Sequence, residues 1–282
     1  MILIYNLPKL ILLIFYSIYF QIKKNIEIFF ADKKFKNSTD FNNFIKVNRA
    51  QWGSADNKNR KRKKIIVSDF VHQIGFLTTE CIIGNYTKNI LKNEYELIGL
   101  LDSYDYQGKK IFNSYSINNF IEYPKINLIN RFKFLIKSIY ILDRYKSVEE
   151  FLNFSIGEVN LGKPVYDHIL RNTGAGSMSF ISFKFYFFLS DALYSHNFFS
   201  SAFKKNEFEY LIMSENQFLP SSIVFQAALE NNIKVLSRVL GPKKIGVRLY
   251  NSNYKKFEVN LKIEKKLFEK FYNSSEKDYS VK

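Results

Sequence analysis

The sequence is poor in the residues that most metal and redox sites require. It holds one cysteine, Cys81, and three histidines, His72, His168 and His196, in 282 residues. One thiol excludes an intrachain disulfide framework and any multi-cysteine zinc or iron–sulfur site, and it fits a reducing compartment. The histidines have no ligand-like spacing, so no metal site is expected. GxxxxGK[ST], HExxH and GxSxG are absent, and GAG at 174–176 lacks the preceding strand of a dinucleotide fingerprint. Acidic residues are the other shortage: 26 Asp and Glu stand against 42 Lys and Arg, a net charge of +16. What is plentiful is apolar: 46% hydrophobic and 17% aromatic residues exclude disordered and collagen-like classes and allow one large domain or two small ones.

The charge is uneven. Residues 1–64 carry 14 basic and 4 acidic side chains, whereas the remainder carries 28 and 22. Abundant Ile, Asn, Lys, Phe and Tyr match an AT-rich coding sequence, so the scattered later lysines are as well explained by composition as by function. The N-terminal excess adjoins an apolar stretch, 1–30. Its least interrupted part, 10–22, has only Ser17 and Gln21 as polar residues. As a helix it is about 20 Å long, short of the roughly 30 Å hydrocarbon core. With no basic region before it and no small-residue cleavage site after it, a secretory signal fits poorly. An interfacial or re-entrant anchor and a packing helix both remain open. Residues 31–63 read as a basic linker containing most of NKNRKRKK (57–64), attractive to any phosphate. No aromatic-interleaved or zinc-knuckle motif accompanies it, so nucleic acid is not the expected partner.

From residue 64 onward, strand-like and helical runs alternate. KIIVSDF (64–70), a helix over 74–93 and YELIGLLDS (95–103) make one β-α-β unit, while KKIFNS (109–114) reads as a short strand and SINNFIEY (116–123) as a short helix. Residues 131–146 form a basic amphipathic segment, and Ser147 and Glu150 have capping-box spacing for a helix beginning at 147. The Phe-rich run 180–203 is helical, and 209–216, a helix opening at Pro220 and 233–240 make a second β-α-β unit. The expected fold is α/β, an open, mainly parallel Rossmann-like sheet with flanking helices over 64–250, preceded by an apolar N-terminal helix and followed by a charged tail, 251–282.

Ligands of such sheets bind outside the carboxyl ends of the strands. That selects Ser68, Asp69, His72, Gln73 and Gly75 after the first strand, Asp102, Ser103 and Asp105 after the second, and Ser214, Glu215 and Asn216 after the later one. Asp69 with His72 has the chemistry of a general base; a turn-capping Asp and a packed His is the competing reading. In LGKPVYDHILRNTGAG (161–176), His168 and Arg171 share a helix face, and Asp167 and Arg171 are spaced for an ion pair. Arg171 suits a phosphate or carboxylate and Asp167 or His168 an acid/base or binding role, unless the string is only a helix start with an intrahelical salt bridge.

Three stretches together resemble bacterial capsule and surface-polysaccharide glycosyltransferase-like proteins of the two-Rossmann-domain type: the unit 64–103, GKPVYDHILRNTG, and YLIMSENQFLPSSIVFQAALENNIKVLSRV. The resemblance covers roughly 64–250 and corresponds to the acceptor-side half. It implies transfer of a sugar from a nucleotide-sugar donor, the sole small molecule expected beside a glycan or lipid-linked acceptor, with no tightly bound cofactor. It carries over to Tyr166, Asp167 and Arg171. The tail is too short for a second nucleotide-binding domain, so the chain is expected to be an N-terminal fragment, to borrow a donor-binding domain from another chain, or to have lost transfer activity. The alternative is a non-catalytic membrane-associated scaffold in the same pathway. Either way the expected location is cytoplasmic, peripheral at the inner face of the plasma membrane, against an anionic lipid surface.

Overall fold

The computed structural model describes residues 7–36, 38–52, 63–91, 95–102, 106–178, 181–205, 207–240 and 245–252. A six-stranded sheet runs through it in the order β3-β2-β1-β6-β7-β8. Its strands are β1 (Lys63–Asp69), β2 (Tyr95–Asp102), β3 (Asn119–Tyr123), β6 (Phe208–Met213), β7 (Lys234–Leu240) and β8 (Ile245–Tyr250). The first five are parallel and β8 is antiparallel. β1 and β2 are apolar on both faces, as strands covered on both sides must be. The winding direction reverses between β1 and β6, which puts the topological switch point at their carboxyl ends.

Strand parity divides the helices into two layers. Ile65, Val67, Leu97 and Leu101 face one core, shared with α2 (Thr39–Trp52), α3 (Ile74–Ile90) and α4 (Tyr106–Ser114). Ile66 and Leu100 face the other, built on α8 (Phe183–Lys204) and α9 (Ser221–Glu230). A third cluster joins α1 (Leu7–Lys36), α5 (Leu128–Leu142), α6 (Val148–Phe151), α7 (Gly162–Thr173) and the inner side of α8. A two-stranded hairpin, β4 (Ser155–Ile156) and β5 (Val159–Asn160), is tied to α9 by Gln226, which accepts from Asn160 N at 2.8 Å and donates to Asn160 O at 3.0 Å.

Several expectations change here. The segment 109–114 is the end of α4 and 119–123 is a strand, the reverse of the local reading. Parallel pairing with β2 from Ile98↔Asn119 to Asp102↔Tyr123 decides the strand, and burial of Ile111 and Phe112 on one helical face decides the helix. Within the expected linker 31–63, the described residues up to 52 lie almost wholly in helices instead: α1 continues to Lys36 and α2 buries Phe41 and Ile45. Most of the basic run lies outside the described residues, as do Ser103 and Asp105; Lys63 and Lys64 open β1. The tail beyond Ser252 also lies outside them.

The Ser147 half of the capping box forms, while the Glu150 carboxylate reaches one residue beyond the N-cap. Ser147 Oγ accepts from Glu150 N at 3.3 Å, and Glu150 Oε2 accepts from Lys146 N at 3.0 Å. Ser147→Ala should therefore cost about 1 kcal/mol in urea unfolding, and an unchanged midpoint would show that the cap contributes nothing.

α1 is both a packing helix and an exposed one. Leu10, Leu13 and Ser17 are buried, and Lys9 is held at the helix start by Asp143 at 3.2 Å and by the Tyr186 ring at 3.7 Å. Ile11, Phe15, Ile18, Ile22, Ile26 and Phe29, spaced three and four apart, face outward. Among the described residues no helix is long and apolar enough to cross a membrane.

Candidate functional site at the carboxyl edge of the sheet

β1 delivers Asp69 as its last residue, and a tight turn through His72 leads directly into α3. His72 has φ 53°, a left-handed conformation unusual for a residue other than glycine. That turn swings the imidazole across to the neighbouring strand, where Nε2 lies 3.3 Å from Asp102 Oδ2. The Asp102 side chain is 6% exposed and that of His72 38%. The carboxylate beside His72 is thus Asp102, contributed by β2, a correction to the expected Asp69–His72 pair. The register gives the reason: Asp69 pairs with Leu101, so it shares parity with Leu101 and points toward α3, while Asp102 shares parity with Leu100 and points to the opposite face. Asp69 is 2% exposed, and its charge, with that of Glu80, adds to the burial that pushes the Cys81 thiol up.

On the Asp102 side lies a cavity of about 200 Å³. Its walls come from α1 (Ser17, Phe20, Gln21), the ends of β2 and β3 (Asp102, Tyr123), the loop Pro124–Ile126, α5 (Arg131), α7 (His168), α8 (Phe188, Asp191, Tyr194, Ser195) and Leu219–Pro220, whose peptide bond is cis. Polar groups in the wall are fixed by one another. Ser195 Oγ donates to Asp191 O at 2.8 Å, which leaves it to accept from the Tyr123 hydroxyl, also at 2.8 Å. Burial raises Tyr123 well above the usual phenol range, keeping that proton in place. Arg131 is buried, donates to Ser190 Oγ at 2.9 Å and to Asp191 Oδ1, and lies 4.7 Å over the Phe187 ring; its Nε has no hydrogen-bond partner among the described residues. His168 meets the Phe188 ring edge-on at 4.6 Å. Donors, acceptors and one imidazole therefore surround an otherwise apolar pocket, the make-up of a site that orients a small polar ligand.

Of the expected residues, His72, Asp102 and His168 gather at or beside this cavity. Tyr166 instead accepts from Met178 N at 3.2 Å and packs into the helical core. Arg171 stacks on Phe218 at 4.2 Å, and the expected salt bridge with Asp167 does not form. Glu215 caps its own loop by accepting from Gln217 N at 2.6 Å, Asn216 follows in that loop, and Gly75 lies in the first turn of α3 with open space around it. Gly162, the second residue of the 161–176 string and the first of α7, serves packing: an added Cβ would lie 2.0 Å from the Phe151 carbonyl oxygen.

Sequence reasoning missed Tyr123, Arg131, Asp191 and Ser195. Asp191 carried a usable signal, being the only acid in the Phe-rich 180–203 run, where a lone carboxylate needs a buried partner. Arg131, read from the sequence as part of the basic amphipathic segment 131–146, is that partner. Another buried carboxylate, Glu80 on α3, lies near the switch point; burial pushes it up to about 8, against the opposing pull of Ser214 and Arg238. Among the described residues no three His, Cys, Asp or Glu side chains converge as a metal site. Comparison with family models, curated proteins and solved structures finds no match to this chain.

Proposed function

We propose that the chain is a glycosyltransferase-like protein of surface-polysaccharide assembly whose cavity receives the acceptor, with His72, oriented by Asp102, as general base. The observation that carries this reading is the placement of Asp102, which both lines the cavity and contacts His72 Nε2. In the transfer, an acceptor hydroxyl oxygen attacks the anomeric carbon of a nucleotide sugar held by another domain or chain. The new glycosidic C–O bond forms as the bond to the nucleoside diphosphate breaks, and the hydroxyl proton passes to the His72 imidazole. The negative charge of Asp102 stabilises the imidazolium so formed. The residues that would orient the acceptor are Tyr123, Arg131, His168 and Asp191. The earlier candidates Asp69, Gly75, Tyr166, Asp167, Arg171, Glu215 and Asn216 have no place in this wall.

The test is turnover of nucleotide sugars by the full chain, together with the proteins encoded beside it, on lipid-linked glycan acceptors. His72→Asn keeps a residue that tolerates the left-handed backbone. Both it and Asp102→Asn should lower turnover about 10²–10⁴-fold with unchanged melting. Full turnover in both variants, or neither turnover nor acceptor binding in the wild type, would overturn the proposal. A non-catalytic scaffold is the second reading. The cavity volume favours it, since about 200 Å³ is below the usual range of small-molecule sites and suits one sugar ring. Acceptor binding without turnover in any donor combination would select it.

A further inference from the structure

The outward stripe of α1 serves neither the cavity nor the core, and it is continuous over most of a 30-residue helix. Leu12, Phe15, Tyr19, Ile22, Phe29 and Phe30 are each more than half exposed. Among the described side chains near this stripe, Lys9 pairs with Asp143, and Lys23 lies 4.0 Å from Glu27. A second surface adjoins it. Lys125 reaches Asn25 Oδ1 at 3.3 Å, bringing the start of α5 against the side of α1. There Leu128, Ile129 and Phe132 are exposed beside Lys133 and Lys137, on a helix without a single carboxylate.

We infer that α1 and the exposed face of α5 form one docking surface for an anionic lipid bilayer, on which α1 lies in the plane of the interface. A helix with one face packed on protein and the other apolar can sink its outer stripe to the acyl boundary without spanning, and basic side chains at its margin meet the headgroups. Charge complementarity selects the occupant. A second copy of the chain would bring Lys133 and Lys137 toward like charges, whereas an anionic leaflet offers the opposite sign. Because Ser17, Phe20 and Gln21 of the same helix line the cavity, docking holds the cavity at headgroup depth. The inference does not rest on the reaction proposed above.

The test is co-sedimentation of the full chain with phosphatidylcholine vesicles, with and without phosphatidylglycerol. Binding should be about tenfold or more stronger when phosphatidylglycerol is present. Phe15→Asp with Ile22→Asp, at positions 67% and 54% exposed, should weaken it at least about tenfold without lowering the melting temperature. Lys133→Glu with Lys137→Glu should remove the preference for phosphatidylglycerol. The inference is overturned by absence of binding to phosphatidylglycerol vesicles, by unchanged binding of the aspartate variant, or by a lipid-free dimer that the aspartate substitutions disperse, which would assign the face to a second copy.

Discussion

Replacing Glu80 with Gln should make the protein more stable than the wild type at and above pH 8, by on the order of 4 kcal/mol, and should flatten its dependence on pH below that. Glu80 is 2% exposed between α3 and the sheet, and burial raises its carboxyl from 4.5 to about 8. The folded state therefore keeps a proton that the unfolded chain releases near pH 4.5. Between those two values the native state binds more protons, so stability falls as pH rises; the contribution is complete below 4.5 and lost above 8. A displacement of this size corresponds to roughly 4 to 5 kcal/mol. Gln retains the shape and carries no proton to release. Urea unfolding of both proteins across this range is the measurement, and the difference between the two curves is the readout. Parallel curves would mean that Glu80 is ionised in the folded state, with Arg238 compensating it fully.

Gly162→Ala should destabilise the fold by more than about 3 kcal/mol, or prevent folding. The added Cβ would meet the Phe151 carbonyl oxygen at 2.0 Å and the Leu152 carbonyl group at 2.8 Å. These are backbone atoms that are themselves held: Phe151 O accepts from Phe154 N at 2.9 Å, and Leu152 O accepts from Asn160 Nδ2 at 3.0 Å. The strain cannot be relieved by rotating a side chain. Two other glycines calibrate the result. Gly174→Ala, at φ 66° with nothing within 4 Å, should cost about 1 kcal/mol through its left-handed backbone alone. Gly75→Ala, in open space inside α3, should be neutral or slightly stabilising. Thermal melts of the three variants give the order, and a Gly162→Ala variant as stable as Gly75→Ala would refute the close-approach argument.

The sheet was legible wherever a strand carried a continuous β-branched run, as in KIIV, or sat in a β-α-β unit with a clear helix between. It was not legible at 109–123. There Ile111 and Phe112 gave no period long enough to separate helix from strand, and NFIEY becomes β3 by pairing with β2, a partner twenty residues away. Of the site, the carboxyl-edge rule placed His72 and Asp102 at one edge of the sheet in advance, whereas His168 was singled out only within the 161–176 string, with no link to them. The rule could not say which carboxylate His72 would meet. That choice is made by strand parity at Leu101↔Asp69, which local sequence does not contain until the register is known.

The sequence by itself determined the class of fold, the ends of the strands at which polar residues collect, and the basic, apolar character of the first sixty-four residues, because periodicity, β-branching and charge are local properties. Tertiary structure alone decided three things: that Arg131 is buried and pairs with Asp191 in the cavity wall, that Glu80 is enclosed, and that one face of α1 closes the cavity while the other stays bare. Each depends on which surfaces meet across long sequence separations. Burial, which sets the energy of a charge or an apolar stripe, exists only once those surfaces have met.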